Sequence, residues 1–290
     1  MKRLLIIVAF GTIATLAAGL WITRPLTVDA AQVASLSGTA AEGEWVFHLG
    51  ACASCHATPG GDKSVLSGGR EFTTAFGTFV APNSSSSPAL GLGAWSQSDF
   101  CNAMRHGTSP EGTHYFPAFP NASYARMIDA DIAKLWAYLA TIPASQEPSQ
   151  PHRLTFPFNL RATVGVWKAL YLRTAFIGPG GDTERGRYLA EAIGHCAECH
   201  TRRTALGGLQ NNRWMAGAPD PSGKGKVPGL TPAQLDWSED DIAYYLETGF
   251  TPDFDSAGGG MAAVIEGTSR LPAEDRAAIA AYVKALPPAQ

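Results

Sequence analysis

Two stretches of this chain place a pair of cysteines and a histidine at one fixed spacing. They are Cys52-Ala53-Ser54-Cys55-His56 and, about 140 residues later, Cys196-Ala197-Glu198-Cys199-His200. Two thiols separated by two residues fall on one helical turn, where each can add to a vinyl group of a haem while the next residue brings an imidazole under the iron. The same thiols could, in other surroundings, act as a redox dithiol or bind zinc. A thioredoxin-like dithiol needs no adjoining histidine and sits in a βαβ pattern, which is absent from this sequence. Zinc would need both pairs to converge on one ion. The histidine in both blocks favours two covalently attached haem c groups, on Cys52 and Cys55 and on Cys196 and Cys199, with His56 and His200 as iron ligands. Cys101, the fifth cysteine, has no partner left and reads as a buried apolar thiol inside a helix.

An iron held by histidine on one side is commonly closed by methionine in electron carriers, which raises the potential. In the second half that residue is Met261, in "SAGGGMAAV", behind glycines that let the backbone approach closely. Twelve residues separate Met261 from Gly249, whereas the same count from Gly107 reaches Phe119, in Pro117-Ala118-Phe119-Pro120, which cannot ligate iron. Met127 is then the candidate in the first half, with His114, His106, Met104 or an open iron as alternatives. Met104 falls opposite Leu246 inside a helix, and Met127 falls opposite Leu271 just before one. Arg70, Arg202 and Arg203 are candidate propionate partners, because guanidinium forks match carboxylates. His48 and His195 flank the attachment blocks and read as packing residues, and His152 lies between the halves.

These residues sit in an internal duplication. "GEWVFHLGA" precedes the first block and "GRYLAEAIGH" the second, each with helical spacing of apolar residues. Pro82-Asn83 and Pro228-Gly229 follow at matching places. Ser96 and Ser238 then open helices with acidic residues in their first turns, and Gly107 and Gly249 close them. "DADIAKLWAYLATIP" and "AEDRAAIAAYVKALPP" are the last helices, each stopped by proline. The expected fold is mostly α: domain one over residues 40–145, a linker over 146–180 and domain two over 181–290. The linker's Phe156, Phe158, Trp167 and Tyr171 are expected to pack the two domains together.

Residues 1–30 form a segment of their own. Met1-Lys2-Arg3 precedes an uncharged run from Leu4 to Ile22, long enough to cross a hydrocarbon core, and Val28-Asp29-Ala30 offers a signal-peptidase site. The segment is therefore a membrane anchor or a cleaved signal. The basic residues before it send the remainder to the periplasmic side of the bacterial inner membrane. Charged residues make up only 16%, the net charge is −3 and like charges form no block, which excludes a nucleic-acid surface.

The duplicated blocks, the "GTHYFPAFPNASYARM" stretch and the Trp-Ser-x-x-Asp helices resemble the multihaem cytochrome c subunits of membrane-associated alcohol, aldehyde and sugar dehydrogenases, over roughly Gly43 to Pro288. Those subunits usually carry three haems and a Pro-Ala-Met-Pro ligand loop, in which Phe119 here replaces the methionine. A dihaem branch with phenylalanine there shares the methionine matching Met127. The resemblance implies an electron relay, not an enzyme: a periplasmic dehydrogenase oxidises its substrate, and electrons pass through the haems to a quinone or a terminal carrier of the respiratory chain. The competing expectation is a dihaem peroxidase or small sulfur-compound oxidoreductase with an open site at the first haem, where Glu111 or His114 would serve as acid or base.

Overall fold

Helix starts are set by side chains that accept from orphaned first-turn amides. The structure is a computed structural model describing residues 1–220 and 225–288. It begins with α1 (Lys2–Ile22) and the short α2 (Ala30–Ala34), capped by Asp29. A first half follows. It comprises α3 (Ala40–Leu49), α4 (Cys52–His56), the hairpin β1 (Glu71–Thr74) and β2 (Gly77–Val80), α5 (Gln97–His106), α6 (Asn121–Tyr124) and α7 (Asp129–Leu139). The connecting stretch holds β3 (Arg153–Leu154), which pairs antiparallel with β2, and α8 (Ala162–Tyr171).

The second half has α9 (Glu184–Tyr188) running into a π-helical turn over Leu189–Ile193, then α10 (Ala197–His200) and the small hairpin β4 (Ala218–Pro219) and β5 (Lys226–Val227). It ends with α11 (Glu239–Thr248), α12 (Gly259–Thr268) and α13 (Ala273–Lys284). Ser96 with Asp99 and Ser238 with Asp241 form matching capping boxes on α5 and α11. Gly107 and Gly249 end those helices at φ 56° and 77°, a left-handed conformation that glycine adopts without a Cβ penalty.

One crossing organises each half: the helix before the cysteine block lies against the last helix. Gly43 on α3 faces the backbone of α7, where a Cβ would overlap the Lys134 carbonyl oxygen. Gly186 on α9 meets α13 in the same way, at the Ala278 carbonyl. Around these contacts Phe47 stacks on Tyr138 with ring centroids 4.9 Å apart, and Tyr282 and Ile193 are fully buried.

The halves share one apolar core that includes Val46, Leu49, Met127, Leu189, Ile193 and Tyr282. Tyr188 donates to Asp131 Oδ2 at 2.8 Å across the boundary, and the Ile128 N–H donates to the Tyr188 hydroxyl at 3.3 Å. In the pseudo-symmetric place, Arg185 stands 5.3 Å over the Trp45 ring and pairs with Asp275 at 2.7 Å.

The linker is partly as expected. Trp167 Nε1 donates to the Leu206 carbonyl at 3.0 Å and Tyr171 packs on Gly208, so both reach the second half. Phe158 packs edge-on against Phe76 of the first half, with ring centroids 4.8 Å apart. Phe156 does not join the halves: it is 78% exposed, because the turn before α8 points it outward. Lys168 has a role the sequence does not suggest. Its ammonium donates to the Gly107 carbonyl at 2.8 Å and to His106 O, capping the C-terminal end of α5, and to His114 Nδ1 at 3.0 Å.

Because backbone meets backbone at both crossings, a single added methyl group has no flexible side chain to displace. Gly186→Ala is expected to lower the unfolding free energy of the loaded protein by about 1–3 kcal/mol, read as a lower denaturant midpoint. An unchanged midpoint would show that α9 and α13 do not need this approach.

Candidate functional site

The two Cys-x-x-Cys-His blocks begin at equivalent and unusual backbone positions. Ala51 and His195, each directly before the first cysteine, take left-handed φ values of 47° and 38°. For residues with a Cβ this costs on the order of 1 kcal/mol, and the surroundings hold both in place. His195 Nε2 contacts the Gly50 carbonyl at 3.2 Å, so the two blocks start back to back across the boundary between halves. Gly50 and Gly194 pack reciprocally: positions a Cβ would take lie 3.7 Å from the Ile193 carbonyl oxygen and 3.3 Å from Leu49.

Each histidine is oriented the same way. His56 Nδ1–H donates to the Pro82 carbonyl at 3.2 Å and lies 2.7 Å from Ser84 Oγ; His200 Nδ1–H donates to the Pro228 carbonyl at 2.8 Å. A carbonyl acceptor fixes the proton on Nδ1 and leaves the Nε2 lone pair free to bind a metal. Crowding by protein lowers both histidine pKa values from the ordinary range, with the carbonyl bond acting the other way, so the rings are neutral at pH 7. The loops carrying the prolines are anchored alike. The Gly68 amide donates to His56 O at 2.6 Å and the Gly217 amide to His200 O at 2.8 Å, with φ 77° and 85°.

Burial, aided by the neighbouring cysteine, pushes the Cys52 and Cys196 thiols up to about 12. Burial raises Cys199 as well. A redox dithiol needs a depressed thiol pKa, so these pairs are poor dithiols. Nor do they meet as a zinc site: among the described residues no three histidine, cysteine or acidic side chains group as metal ligands. Thiols on one turn beside a neutral imidazole with a free Nε2 are a donor set that fits covalently held haem, in both halves.

The distal candidates differ. Thr108 bridges to His114 and the Tyr115 amide donates to Gly107 O at 2.7 Å; Phe250 bridges to Ser256 and the Ala257 amide donates to Gly249 O at 2.7 Å. The loops after α5 and α11 therefore keep one register, and Phe119 stands where Met261 does. Met261 is half-buried in the first turn of α12, a helix where the sequence pattern suggests only a crossing stretch. Met127 is 1% exposed. Its amide donates to Tyr124 O at 2.9 Å and its carbonyl accepts from Arg105 at 3.0 Å, just as Leu271 bonds to Thr268 O and Arg276. Tyr124, one turn before Met127, is buried beside Cys52 and Cys55, whose proximity adds to the desolvation that raises its hydroxyl pKa.

Other candidates are engaged elsewhere. His114 spends both ring nitrogens, Nδ1 on Lys168 and Nε2 on the Thr23 carbonyl at 2.9 Å, which removes it as an iron ligand and as a distal base. Met104 is 4% exposed in the core, and Cys101 is 1% exposed in α5. Arg203 pairs with Glu198, and Arg70 stands 6.0 Å over Phe72. Sequence reasoning misses Glu191. Fully buried in the π-helical turn, its carboxylate accepts from Tyr282 at 2.6 Å and from the Ile177 and Gly178 amides, with Arg126 of the first half 3.8 Å away. The only signal for it is an acidic residue on an apolar helical face.

The chain thus holds two units with one helix crossing and one histidine geometry, each with a donor set that fits covalent haem. The Cytochrome c family model matches residues 40–143 and 183–287, and the chain belongs to that family. It is 53% identical to a dihaem cytochrome c-type protein of Cereibacter sphaeroides, over 93% of this chain and 94% of that one. It is 34% identical to a nicotinate dehydrogenase subunit of Pseudomonas putida, over 92% of this chain and 23% of the relative. With the fructose dehydrogenase cytochrome subunit of Gluconobacter japonicus it shares 34% identity, over 81% of this chain and 50% of the relative. The chain thus spans nearly the full length of the first relative and half or less of the other two. It is a mostly α protein of two cytochrome c domains, a class that binds haem c covalently, and it transfers electrons without being itself a catalytic subunit.

Ser84 gives His56 a second hydrogen-bond partner, whereas the ring bond described for His200 is the one to Pro228. A better-supported imidazole N–H makes a stronger ligand and lowers the potential. Ser84→Ala is therefore expected to raise the midpoint potential of one haem in a spectroelectrochemical titration while the other stays fixed; two equal shifts, or none, would contradict this assignment.

Proposed function

We propose that the chain is a dihaem electron relay on the periplasmic side of the bacterial inner membrane, carrying electrons from a dehydrogenase to a quinone or a terminal carrier of the respiratory chain. Residues 40–145 and 181–290 are the two haem domains, 146–180 the linker, and 1–30 the signal or anchor. Cys52, Cys55, Cys196 and Cys199 hold two haem c groups, with His56 and Met127 on one iron and His200 and Met261 on the other. Haem iron held in this way takes up and releases one electron at a time.

The observation that carries this reading is the direct bond between the two attachment turns, from His195 to the Gly50 carbonyl. It brings the starts of the two Cys-x-x-Cys-His blocks to one boundary, which supports a relay over a pair of independent carriers. The family model matches residues 40–143 and 183–287, and relatives named for nicotinate and for fructose dehydrogenases align with 92% and 81% of this chain. The substrate is therefore chosen by a partner subunit. The peroxidase alternative loses support, since His114 is committed to Lys168 and Thr23 and Glu111 is exposed on the loop after α5.

One observation favours a variant at the first iron. Met127 occupies the place Leu271 fills as a core residue, and Phe119 has no donor atom for a metal. The presence of Tyr124 beside the first thiol pair favours Met127 as ligand, since the turn it opens lies against that site.

The substitutions separate these. Met261→Ala is expected to lower one midpoint potential and remove about half of the weak far-red sulfur-to-iron band of the oxidised protein. Met127→Leu keeps the core volume and is expected to remove the rest. A spectrum unchanged by Met127→Leu assigns that methionine to packing alone, and carbon monoxide binding to the unsubstituted protein would identify the first iron as open. For the relay itself, a dehydrogenase should copurify from detergent-solubilised membranes and reduce both haems when given its substrate; reduction of neither would overturn the function.

A further inference from the structure

The linker helix has an outer face that a soluble surface would not keep. The exposed positions of α8 are Ala162, Thr163, Val166, Ala169 and Leu170, which carry no charge. Val166 is 52% and Leu170 51% exposed, and next to them in the chain Leu160 is 46% and Phe156 78% exposed. By contrast, α11 turns Glu239, Asp240 and Glu247 outward. Solvated helix faces ordinarily carry such charges, and contiguous apolar exposure marks a contact surface.

What covers it follows from where α1 ends. Arg3–Ile22 is an apolar helix of 20 residues, long enough for a bilayer. Its exit rests on α8: a Cβ on Gly165 would overlap the Thr23 carbonyl oxygen, and that same carbonyl accepts from His114. Trp21 is exposed with the Arg24 guanidinium 3.6 Å over its ring, an aromatic and basic pair of the kind found where helices leave hydrocarbon. α8 therefore runs at the level at which the anchor emerges. Arg161 and Arg173 bracket the helix, with their guanidinium groups donating to the carbonyls of His114 and of Leu170 and Leu172, so the face between them carries no charge of its own.

We propose that the face of α8 formed by Val166 and Leu170, with Leu160 and Phe156 beside it, lies in the headgroup and acyl boundary of the bilayer that α1 crosses. This rests on the anchor reading and goes beyond it: a single spanning helix leaves the soluble domains free to tilt, and a second contact fixes which side of each domain faces the membrane. The linker, wedged between the halves through Lys168 and Trp167, transmits that orientation to both.

The test is spin labelling of the full-length loaded protein in nanodiscs of phosphatidylethanolamine and phosphatidylglycerol. Single cysteines would be placed by Ile13→Cys, Val166→Cys, Leu170→Cys and Phe254→Cys, with Cys101 buried at 1% exposure and the remaining cysteines proposed to be consumed by haem. Collision of each label with oxygen and with a water-soluble nickel complex reports its depth. The expected result is lipid-like collision at 13, 166 and 170 and aqueous collision at 254, which is 92% exposed in the second half. Aqueous values at 166 and 170 with lipid values at 13 would overturn the docking and leave the anchor standing. Aqueous values at 13 as well would remove the anchor and the docking with it. Labels at 166 and 170 shielded from both probes would overturn it too, since a protein surface, a second copy or the dehydrogenase, would then cover the face instead.

Discussion

Everything this chain can do with a metal depends on a bond between an imidazole and a proline carbonyl, made twice. His56 to Pro82 and His200 to Pro228 each keep the proton on Nδ1 and leave the Nε2 lone pair free. Neither bond can form from the block alone. Each needs the loop that carries the proline to fold back, and that return is held by Gly68 and Gly217 bonding to the histidine carbonyls in left-handed conformations. The thiols and imidazole of each block are thus local in sequence, but the orientation of the imidazole depends on a loop that closes more than twenty residues later.

A second constraint joins the two sites. The helix crossings at Gly43 and Gly186 bring backbones into contact, so each half has a rigid frame, and the frames then share one core. Their boundary repeats itself with approximate twofold symmetry but different chemistry. Tyr188 reaches Asp131 on one side, while on the other Arg185 lies over Trp45 and pairs with Asp275. The strained Ala51 and His195 positions sit at the centre, where packing from both sides holds them. Strain of this kind is retained where surrounding structure over-determines it, and here it fixes the start of both attachment turns. Glu191 adds a buried carboxyl group next to the second site, held by Tyr282 and two amides and faced by an arginine from the first half.

Much of this architecture is legible in the order of residues. The attachment blocks, the capping serines, the closing glycines and the twelve-residue register from Gly107 and Gly249 are local signals, and the structure reproduces the helix starts, stops and loop register they imply. The linker helix α8 has Val164, Trp167, Lys168 and Tyr171 at helical spacing on its inner face, but its apolar outward face is not legible, because exposure depends on what the fold leaves uncovered. The pairing of β2 with β3 and of Arg126 with Glu191 is not legible, because each joins residues more than sixty positions apart in sequence. His114 shows the limit most clearly. A histidine in the loop after α5 invites a ligand role, and only the fold shows both nitrogens taken, by the Thr23 carbonyl just after α1 and by the linker lysine.

The central claim is that four of the five cysteines are consumed as bonds to two haems, leaving Cys101. Thiol titration of the purified protein unfolded in denaturant, combined with the haem content of the same sample, tests it directly. One reactive thiol and two haems per chain is the expected result. Five thiols, or a colourless protein, would contradict the account at its root.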